Sequence, residues 1–331
     1  MKLNNQYPDT AQVGNPVEID PSIPNGNNFA RGLAILLRHA GCKTDYVTVM
    51  GDVGEAFLMS GTEYDDKLTG GYADLGWWAL DRWHIVSRLP FLSWVNGVEL
   101  HHHDVDFGGI GPDPAKSYAK LFQATVCNEI THGRLLLACW DGCHVITGYD
   151  GEKPPLVGWC LFGDKPESMR MRDYPCAITT YGSECEAMDR LYADQMALQH
   201  AVDLGRGRVK CGLWVTGPSA WKGWEDHLIN RTTVGYWHNS IKWNGLKNNR
   251  DAAVKYLENM ALRQSDAVAN CLREAAEIYR QQLEVIGCMP DFDENLVGKE
   301  QNELAGLIRT AAGLDLEAVE RIEVAVSLLL E

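Results

Sequence analysis

The chain has 331 residues, of which 45% are hydrophobic and 23% are charged, with 45 Asp and Glu against 30 Lys and Arg. This composition excludes a mainly disordered chain, and the formal charge of −15 argues against nucleic acid or an anionic membrane surface as the main partner. The length suggests about two domains.

Cellular location is indicated by the N-terminus and by the cysteines. The first residues are polar and lack the apolar core of a secretion signal, and no apolar run approaches the ~20 residues that span a bilayer. The ten cysteines form no Cys-x-x-Cys pair, so the spacing of a structural zinc ribbon is absent. These features predict a cytoplasmic protein with mostly reduced, buried thiols.

The first half of the chain predicts helices, buried strands and glycine turns in alternation. Apolar residues at helical spacing, with Asn27 or Asn28 as N-cap and Gly41 as the stop, predict a helix from Phe29 to Ala40. A second helix is expected from Pro114 to Thr131. Short apolar runs predict strands at Tyr46 to Met50, Arg134 to Trp140, Cys143 to Tyr149 and Leu156 to Phe162.

After Tyr181 the pattern becomes helical. A capping box from Ser183 to Glu186 predicts a helix that ends at Gly205. Helical spacing then runs from about Asn249 to Ile286, and two further helices are expected to meet at Gly313. The prediction is an α+β fold, with an α+β domain at residues 1–182 and a mainly helical domain at 183–331 packed on it.

Three segments of the first domain carry a recognisable pattern. The helix NFARGLAILLRHAG (Asn28 to Gly41) is followed by the turn VMGDVGEAF, and the strand CHVITGYD contains His144. The pattern resembles the papain-like cysteine peptidases that process bacteriocin leader peptides, and also the N-terminal domain of the butirosin-biosynthesis acyltransferase. The resemblance covers roughly residues 25 to 165, and it implies a papain-like fold.

The resemblance also implies a set of site residues. In those families a Cys begins the helix, where helix N–H groups and the helix dipole stabilise the thiolate, a His takes its proton, and a third group orients the His. The corresponding positions are Asn28, His144 and Asp164, and the upstream oxyanion-hole Gln falls near Ser22. Because Asn cannot act as a thiolate nucleophile, we expect no cysteine-peptidase activity.

Each of these residues has a second interpretation. Asn28 caps the helix or makes a polar contact to a ligand, and His144 either fills the core or lines a cleft. Asp164 either orients His144 or is a surface turn residue. The dense tryptophans either pack the core or line an aromatic pocket. On the second reading the ligand-binding candidates are Trp77, Trp78, Asn27 and Tyr149.

The run His101-His102-His103 could be interpreted as a metal-binding site. On a strand, His101 and His103 share one face, while His102 and Asp104 share the other, so the three imidazoles cannot converge on one ion without irregular backbone. The alternative interpretation is that these are polar side chains exposed to solvent on an edge strand. The sequence therefore predicts neither a metal site nor a cofactor.

Three functions remain open. The first is a papain-like protein without the catalytic Cys that binds a small molecule or a peptide, as a binding or regulatory module. The alternative is an active amide hydrolase or acyltransferase that uses a His-Asp pair with a non-Cys nucleophile or water. The third is a structural or interaction protein, whose tryptophans mark a partner surface. A homo-oligomer is left open.

Overall fold

The structure is a computed structural model of the chain. It describes residues 7–8, 10–13, 27–62, 84–104, 122–139, 143–150, 156–161, 167–171, 175, 177–210, 214–230, 236–288 and 299–330.

The helices, in chain order, are α1 (Asn28–His39), α2 (Tyr46–Asp52), α3 (Leu89–Asn96), α4 (Gln123–Thr131), α5 (Arg190–Gly205), α6 (Gly217–Asn230), α7 (Tyr236–Ala261), α8 (Asp266–Gly287) and α9 (Lys299–Leu329). A 3₁₀ turn follows α2 at Glu55–Phe57, and a helical turn covers residues 84–87. No described helix is both long enough and apolar enough to cross a bilayer.

The strands, in chain order, are β1 (Thr10–Gln12), β2 (Ser60–Thr62), β3 (Val98–Asp104), β4 (Leu136–Cys139), β5 (Cys143–Asp150), β6 (Leu156–Cys160), β7 (Glu167–Met171), β8 (Ala177–Glu184) and β9 (Trp214–Thr216).

The chain divides into two compact units. The first contains Met1–Val49 and Ile85–Met188, and the second contains Met50–His84 and Asp189–Glu331. The first unit combines a sheet with helices and the second is mainly helical, so the predicted α+β fold with a helical C-terminal region is confirmed. The division into domains at residues 1–182 and 183–331, and the papain-like fold, stay predictions.

The first unit is built on an antiparallel sheet whose strands lie in the order β3-β8-β4-β5-β6-β7. The short strand β1 also pairs with β5, at residues 148–150, beyond the stretch of β5 that pairs with β4. Seven of the eight residues of β5 are buried, as expected for a strand with neighbours along both edges and packing on both faces. The second unit contains a separate two-stranded pair, β2 with β9.

Helix α1 packs closely against one face of this sheet. A Cβ atom added at Gly32 would lie 2.9 Å from Leu137 Cδ2 and 3.2 Å from Cys143 Sγ, so glycine allows the helix its close approach. Helix α1 is buried along almost its whole length, from Phe29 to Leu37. It ends at Gly41, whose φ of 91° is the left-handed conformation that stops a helix.

The strand predicted at Tyr46 to Met50 is wrong, since these residues form helix α2. The β-branched and aromatic run suggested a strand, but Asp45 starts a helix in front of it. Asp45 Oδ1 accepts a hydrogen bond from the Thr48 N–H at 2.7 Å, the contact of an N-cap. Val49 and Met50 are then buried on one face of the helix. Helix capping and tertiary burial outweigh the local strand preference here.

Three helix boundaries also differ from the predictions. Ser183 lies in strand β8, and helix α5 begins later, where Asp189 accepts from the N–H groups of Leu191 and Tyr192. The helical pattern up to Ile286 is two helices, interrupted at residues 262–265. Gly313 does not separate two helices but lies inside the single helix α9, because one glycine in a helix interior costs only about 1 kcal/mol. Of the expected helix from Pro114, the structure describes α4, and residues 114–121 lie outside the described residues.

Tryptophans form part of the core of the second unit. Trp221, Trp224 and Trp243 pack in one buried cluster, with neighbouring ring centroids 6.1 and 6.2 Å apart. Apolar residues of β9 and α9, including Val215, Leu304 and Ile308, complete this cluster. These tryptophans therefore stabilise the helical unit through apolar burial.

Candidate functional site

The start of α1 carries two asparagines with different tasks. Asn27 is the N-cap, and its Oδ1 accepts from the N–H groups of Phe29 at 3.1 Å and Ala30 at 3.0 Å. The backbone N–H of Asn27 donates to the Tyr46 hydroxyl at 2.9 Å. Asn28 is the first helical residue and is half-buried, so its predicted position at the start of a helix is confirmed.

His144 lies on strand β5, as predicted, but on the face of the sheet opposite to α1. Cys143 Sγ faces Gly32 of α1, and side chains alternate along a strand. The strand pairing supports the same conclusion. Leu137 faces α1, so the next residue, Ala138, faces the other side of the sheet, and His144 pairs directly with Ala138. The structure therefore does not bring His144 and Asn28 together. Catalytic roles for these two residues stay predictions.

The remaining candidates are separated or lie elsewhere. Asp164, Trp77, Trp78 and Ser22 lie outside the described residues. Tyr149 is buried, and its hydroxyl donates to the Pro8 carbonyl at 3.1 Å. Burial raises the pKa of this phenol, which lies beside Thr131 and Cys127 of α4. Tyr149 and Asn27 thus have structural contacts, and a ligand-binding role for either stays a prediction.

A different His-Asp pair lies beside the start of α1. His102 on β3 pairs across to Thr179 on β8, and the Phe29 ring meets the His102 ring edge-on with centroids 6.0 Å apart. His102 Nε2 is 3.0 Å from Asp104 Oδ2, and His102 Nδ1 is 2.7 Å from Thr179 Oγ1. The His102 side chain is 7% exposed and that of Asp104 is 42% exposed. This Thr179–His102–Asp104 chain lies on the α1 face of the sheet.

The hydrogen bonds of this chain suggest its proton positions. When the imidazole is neutral and donates from Nε2 to Asp104, its Nδ1 is left as the acceptor for the Thr179 hydroxyl proton. A hydroxyl, a base and an orienting carboxylate in this order are the parts of a nucleophilic site. Thr179 is fully buried, however, so its oxygen is closed to a substrate in this conformation.

Sequence reasoning placed His102 and Asp104 on one face of a strand, and the contact between them confirms that placement. It missed their position beside the start of α1. That position depends on β3 pairing with β8, which follows it by more than 70 residues in the chain. His101, on the other face, lies 3.7 Å from Glu99. Among the described residues, no group of three or more His, Cys, Asp or Glu is arranged to hold a metal ion.

Two of the described thiols, Cys42 and Cys127, lie in environments that disfavour the thiolate. Burial raises the pKa of the Cys42 thiol, with a further contribution from Cys185. Burial likewise raises the pKa of Cys127, against a weaker effect of the Tyr149 hydroxyl. A raised pKa lowers the thiolate fraction at neutral pH and with it the nucleophilicity.

Comparison with known proteins gave no relatives: no protein-family model matches the chain, and no curated protein matches it.

Proposed function

We propose that this protein is a binding or regulatory module for a small molecule or a peptide, on a scaffold of papain-like type without the catalytic cysteine. The proposal keeps the resemblance of the segments around Asn28 and His144 to the leader-processing peptidases and the butirosin-biosynthesis acyltransferase. It assigns the start of α1 and the neighbouring end of β3 as the ligand-contacting region. The acidic balance of the chain supports a partner that is neither nucleic acid nor an anionic membrane, and we propose a cytoplasmic location.

One observation carries the proposal: α1 begins with the amide of Asn28, at the position that the resemblance aligns with the family's thiol. Asn28 begins α1 with an amide, and His144 lies on the other face of the sheet, so these two residues do not form a thiol–imidazole dyad. What remains at this end of α1 is a fixed polar surface. It offers the half-buried amide of Asn28 and the part-exposed carboxylate of Asp104, held by His102 beside the apolar ring of Phe29. A few fixed polar groups beside apolar side chains are typical of ligand sites.

Ligand binding without turnover is the direct test. The wild-type protein is mixed with a defined library of peptides of six to ten residues and, separately, with a library of amino-acid-derived small molecules. Bound compounds are then identified by native mass spectrometry. We expect ligands that are recovered chemically unchanged, and that are lost in Asn28→Arg, which fills the surface, but kept in Asp251→Arg, an exposed site in the second unit. Ligands retained equally by both variants, or converted to products, contradict the proposal.

The absence of thiol chemistry can be tested by adding a thiol. Asn28→Cys places it at a helix N-terminus, where such settings lower a thiol pKa from ~8.5 towards about 4–7. We expect this thiol to be alkylated by iodoacetamide at pH 6 much faster than the native cysteines. His144→Ala should leave the rate unchanged because it lies on the other face. A rate no faster than that of free cysteine would show that position 28 does not resemble the nucleophile position.

The second candidate is an acyl hydrolase or acyltransferase that uses the Thr179–His102–Asp104 chain. In this reaction the Thr179 hydroxyl would lose its proton to His102 Nδ1 and bond to the substrate carbonyl carbon. His102 would return the proton to the leaving amine or alcohol, and water or another acceptor would then release the acyl group. The burial of Thr179 favours the binding function over this one.

Turnover of amide and ester substrates decides between the two. The hydrolase requires activity that Thr179→Val and His102→Gln both abolish, while His132→Gln, an exposed histidine elsewhere in the first unit, leaves it intact. We expect no turnover by the wild-type protein.

A further inference from the structure

A second polar chain lies in the second unit. His84 Nδ1 is 3.0 Å from Glu55 Oε2, and His84 Nε2 is 3.0 Å from His200 Nε2. The side chains of His84 and Glu55 are 2% and 1% exposed, and His200, on α5, is half-buried. A carboxylate and two imidazoles therefore follow one another from the interior towards the surface.

The two imidazoles meet head to head. Their planes differ by 7°, and their centroids are 5.3 Å apart although two of their nitrogens are only 3.0 Å apart. So large a centroid separation requires both nitrogens to lie close to the line between the ring centres. This is the geometry of one N–H···N hydrogen bond in the ring plane. A zinc ion on that line would need about 4 Å between the nitrogens, since Zn–N distances are ~2.0–2.1 Å, so the pair is not spaced for a metal ion between them.

The surrounding turn is shaped for this contact. Gly54, with φ of 84°, precedes the 3₁₀ turn that carries Glu55. A Cβ atom at Gly54 would lie 2.6 Å from Cδ2 of His200, so the imidazole occupies the space that any other residue would fill. The backbone therefore leaves room for His200 beside Glu55.

We propose that Glu55, His84 and His200 form a pH-operated latch, which holds His84 against α5 within the second unit and opens when the histidine pair takes up a second proton. His84 is the last residue of the second unit before the chain returns to the first unit at Ile85. The latch thus fixes the point at which the chain leaves the second unit.

The direction of the pH effect follows from counting protons. With the latch closed, one proton lies between the two Nε2 atoms, and Glu55 stabilises a positive charge on His84. Two imidazolium rings would point N–H groups at each other, so the closed pair accepts at most one extra proton. The open pair accepts two, around pH 6.5 for solvated histidines. Opening therefore takes up one more proton below about pH 6.5, and acid favours the open state.

Charged groups on the neighbouring elements already have partners among the described residues. The pairs are Arg250 with Asp315, Arg190 with Asp52, Arg263 with Asp194, Arg208 with Asp203, Arg206 with Glu323, Lys222 with Asp226, and Arg309 with Glu225. Their charges are balanced locally, and Glu55 is a carboxylate that contacts the histidine pair directly.

Amide hydrogen exchange tests the latch in the full-length protein. Exchange of the amides of residues 84–88 is measured between pH 7.5 and pH 5 and divided by the intrinsic rate at each pH, which gives the opening constant. In the wild type we expect this constant to rise up to tenfold per pH unit below about pH 6.5, the slope for one proton. In His200→Gln, whose side chain does not titrate, the constant should be flat with pH. His132→Gln should behave as the wild type.

A wild-type slope that persists in His200→Gln overturns the proposal, as does a wild-type opening constant that is independent of pH. A second measurement needs no variant. In protein with ¹⁵N-labelled histidines at pH 7.5, we expect a coupling between the two Nε2 nuclei across their shared proton, lost on acidification to pH 5. Absence of this coupling at pH 7.5, in a protein that is folded, would equally overturn the latch.

Discussion

The two units handle buried polarity in different ways. The second unit buries full charges and pairs them. Arg250 is 0% exposed and donates to Asp315 at 2.8 Å and to the Gln282 side chain at 2.8 Å. Asp315 in turn accepts from Trp221 Nε1 at 2.8 Å. The polar atoms of this cluster thus satisfy one another, which is the condition for burying a charge without a large penalty.

The first unit places its polar chains along the α1 face of the sheet, with one end near solvent. At one end of α1, His102 links buried Thr179 to part-exposed Asp104. At the other end, His39 Nδ1 lies 2.9 Å from the Tyr181 hydroxyl. Hydroxyls, imidazoles and one carboxylate make these contacts, whereas the cluster around Arg250 in the second unit is built on a guanidinium–carboxylate pair. The two arrangements differ in access: the cluster around Arg250 is buried among the helices, whereas the His102 chain ends at a part-exposed carboxylate that a ligand can contact.

Breaking the central ion pair should produce the largest effect. Arg250→Met leaves the Asp315 carboxylate buried and uncompensated, which typically costs about 3–5 kcal/mol. We expect that loss in the free energy of unfolding of the second unit, measured in urea by the fluorescence of Trp221 and its neighbours. The double variant Arg250→Met/Asp315→Leu should recover much of it, because apolar residues can replace a buried pair.

The matched control for Arg250→Met is Lys255→Ala. That removes the exposed pair with Asp251, four residues apart on one helix, which is worth only about 0.3–0.5 kcal/mol. Stability of Arg250→Met within 1 kcal/mol of the wild type would show that the charge cluster is not what holds the helical unit together.

A glycine in α2 gives the next effect. A Cβ atom at Gly51 would lie 2.1 Å from Cδ2 of Tyr256, and that ring is held in place by a hydrogen bond from its hydroxyl to Asp52 at 2.6 Å. Gly51→Ala should therefore destabilise the second unit by about 1–3 kcal/mol or more through overpacking. Gly245→Ala, in helix α7 with no atom within 4 Å of the new Cβ, should stabilise it by about 0.5–1 kcal/mol. Equal effects of the two substitutions in thermal unfolding would contradict this packing.

The smallest effect concerns pH in the first unit. Burial lowers the pKa of His39 below its ordinary value, so the unfolded chain takes up this proton first as pH falls. The first unit should therefore lose a small part of its stability as the pH falls below about 6.5. His39→Gln should reduce that loss, and His132→Gln should not, in urea unfolding followed between pH 7.5 and pH 5. A steeper acid loss in His39→Gln than in the wild type would reverse the assigned direction.

Local signals accounted for the parts of the fold that depend on neighbouring residues. The start and end of α1 were predictable because Asn27 and Gly41 act on the backbone beside them. Helix α2 was missed because its cap, Asp45, precedes a run with strand preference. The capping box at Ser183 failed for the opposite reason, since pairing with β3 draws this segment into the sheet.

The candidate sites depended on contacts between distant parts of the chain. His102 and Asp104 could be placed on one face from the period of a strand, but their approach to Phe29 follows from the strand order. His84 lies 116 residues before His200 in the chain, and no local pattern links the two. Sequence periodicity gives the face of an element, and the long-range pairing decides what that face meets.

The interleaving of the two units along the chain has a consequence for synthesis on the ribosome. Residues Met50–His84 belong to a unit whose remaining partners, from Asp189 onward, are made more than a hundred residues later. Apolar side chains such as Val53, Phe57 and Leu58 are buried in the folded protein. During synthesis they must wait for those partners while the rest of the first unit is translated. Because translation adds about 5–20 residues per second, this wait lasts several seconds or more. The nascent chain is therefore expected to need protection of this short segment, by a chaperone or by transient non-native packing, until α7 emerges.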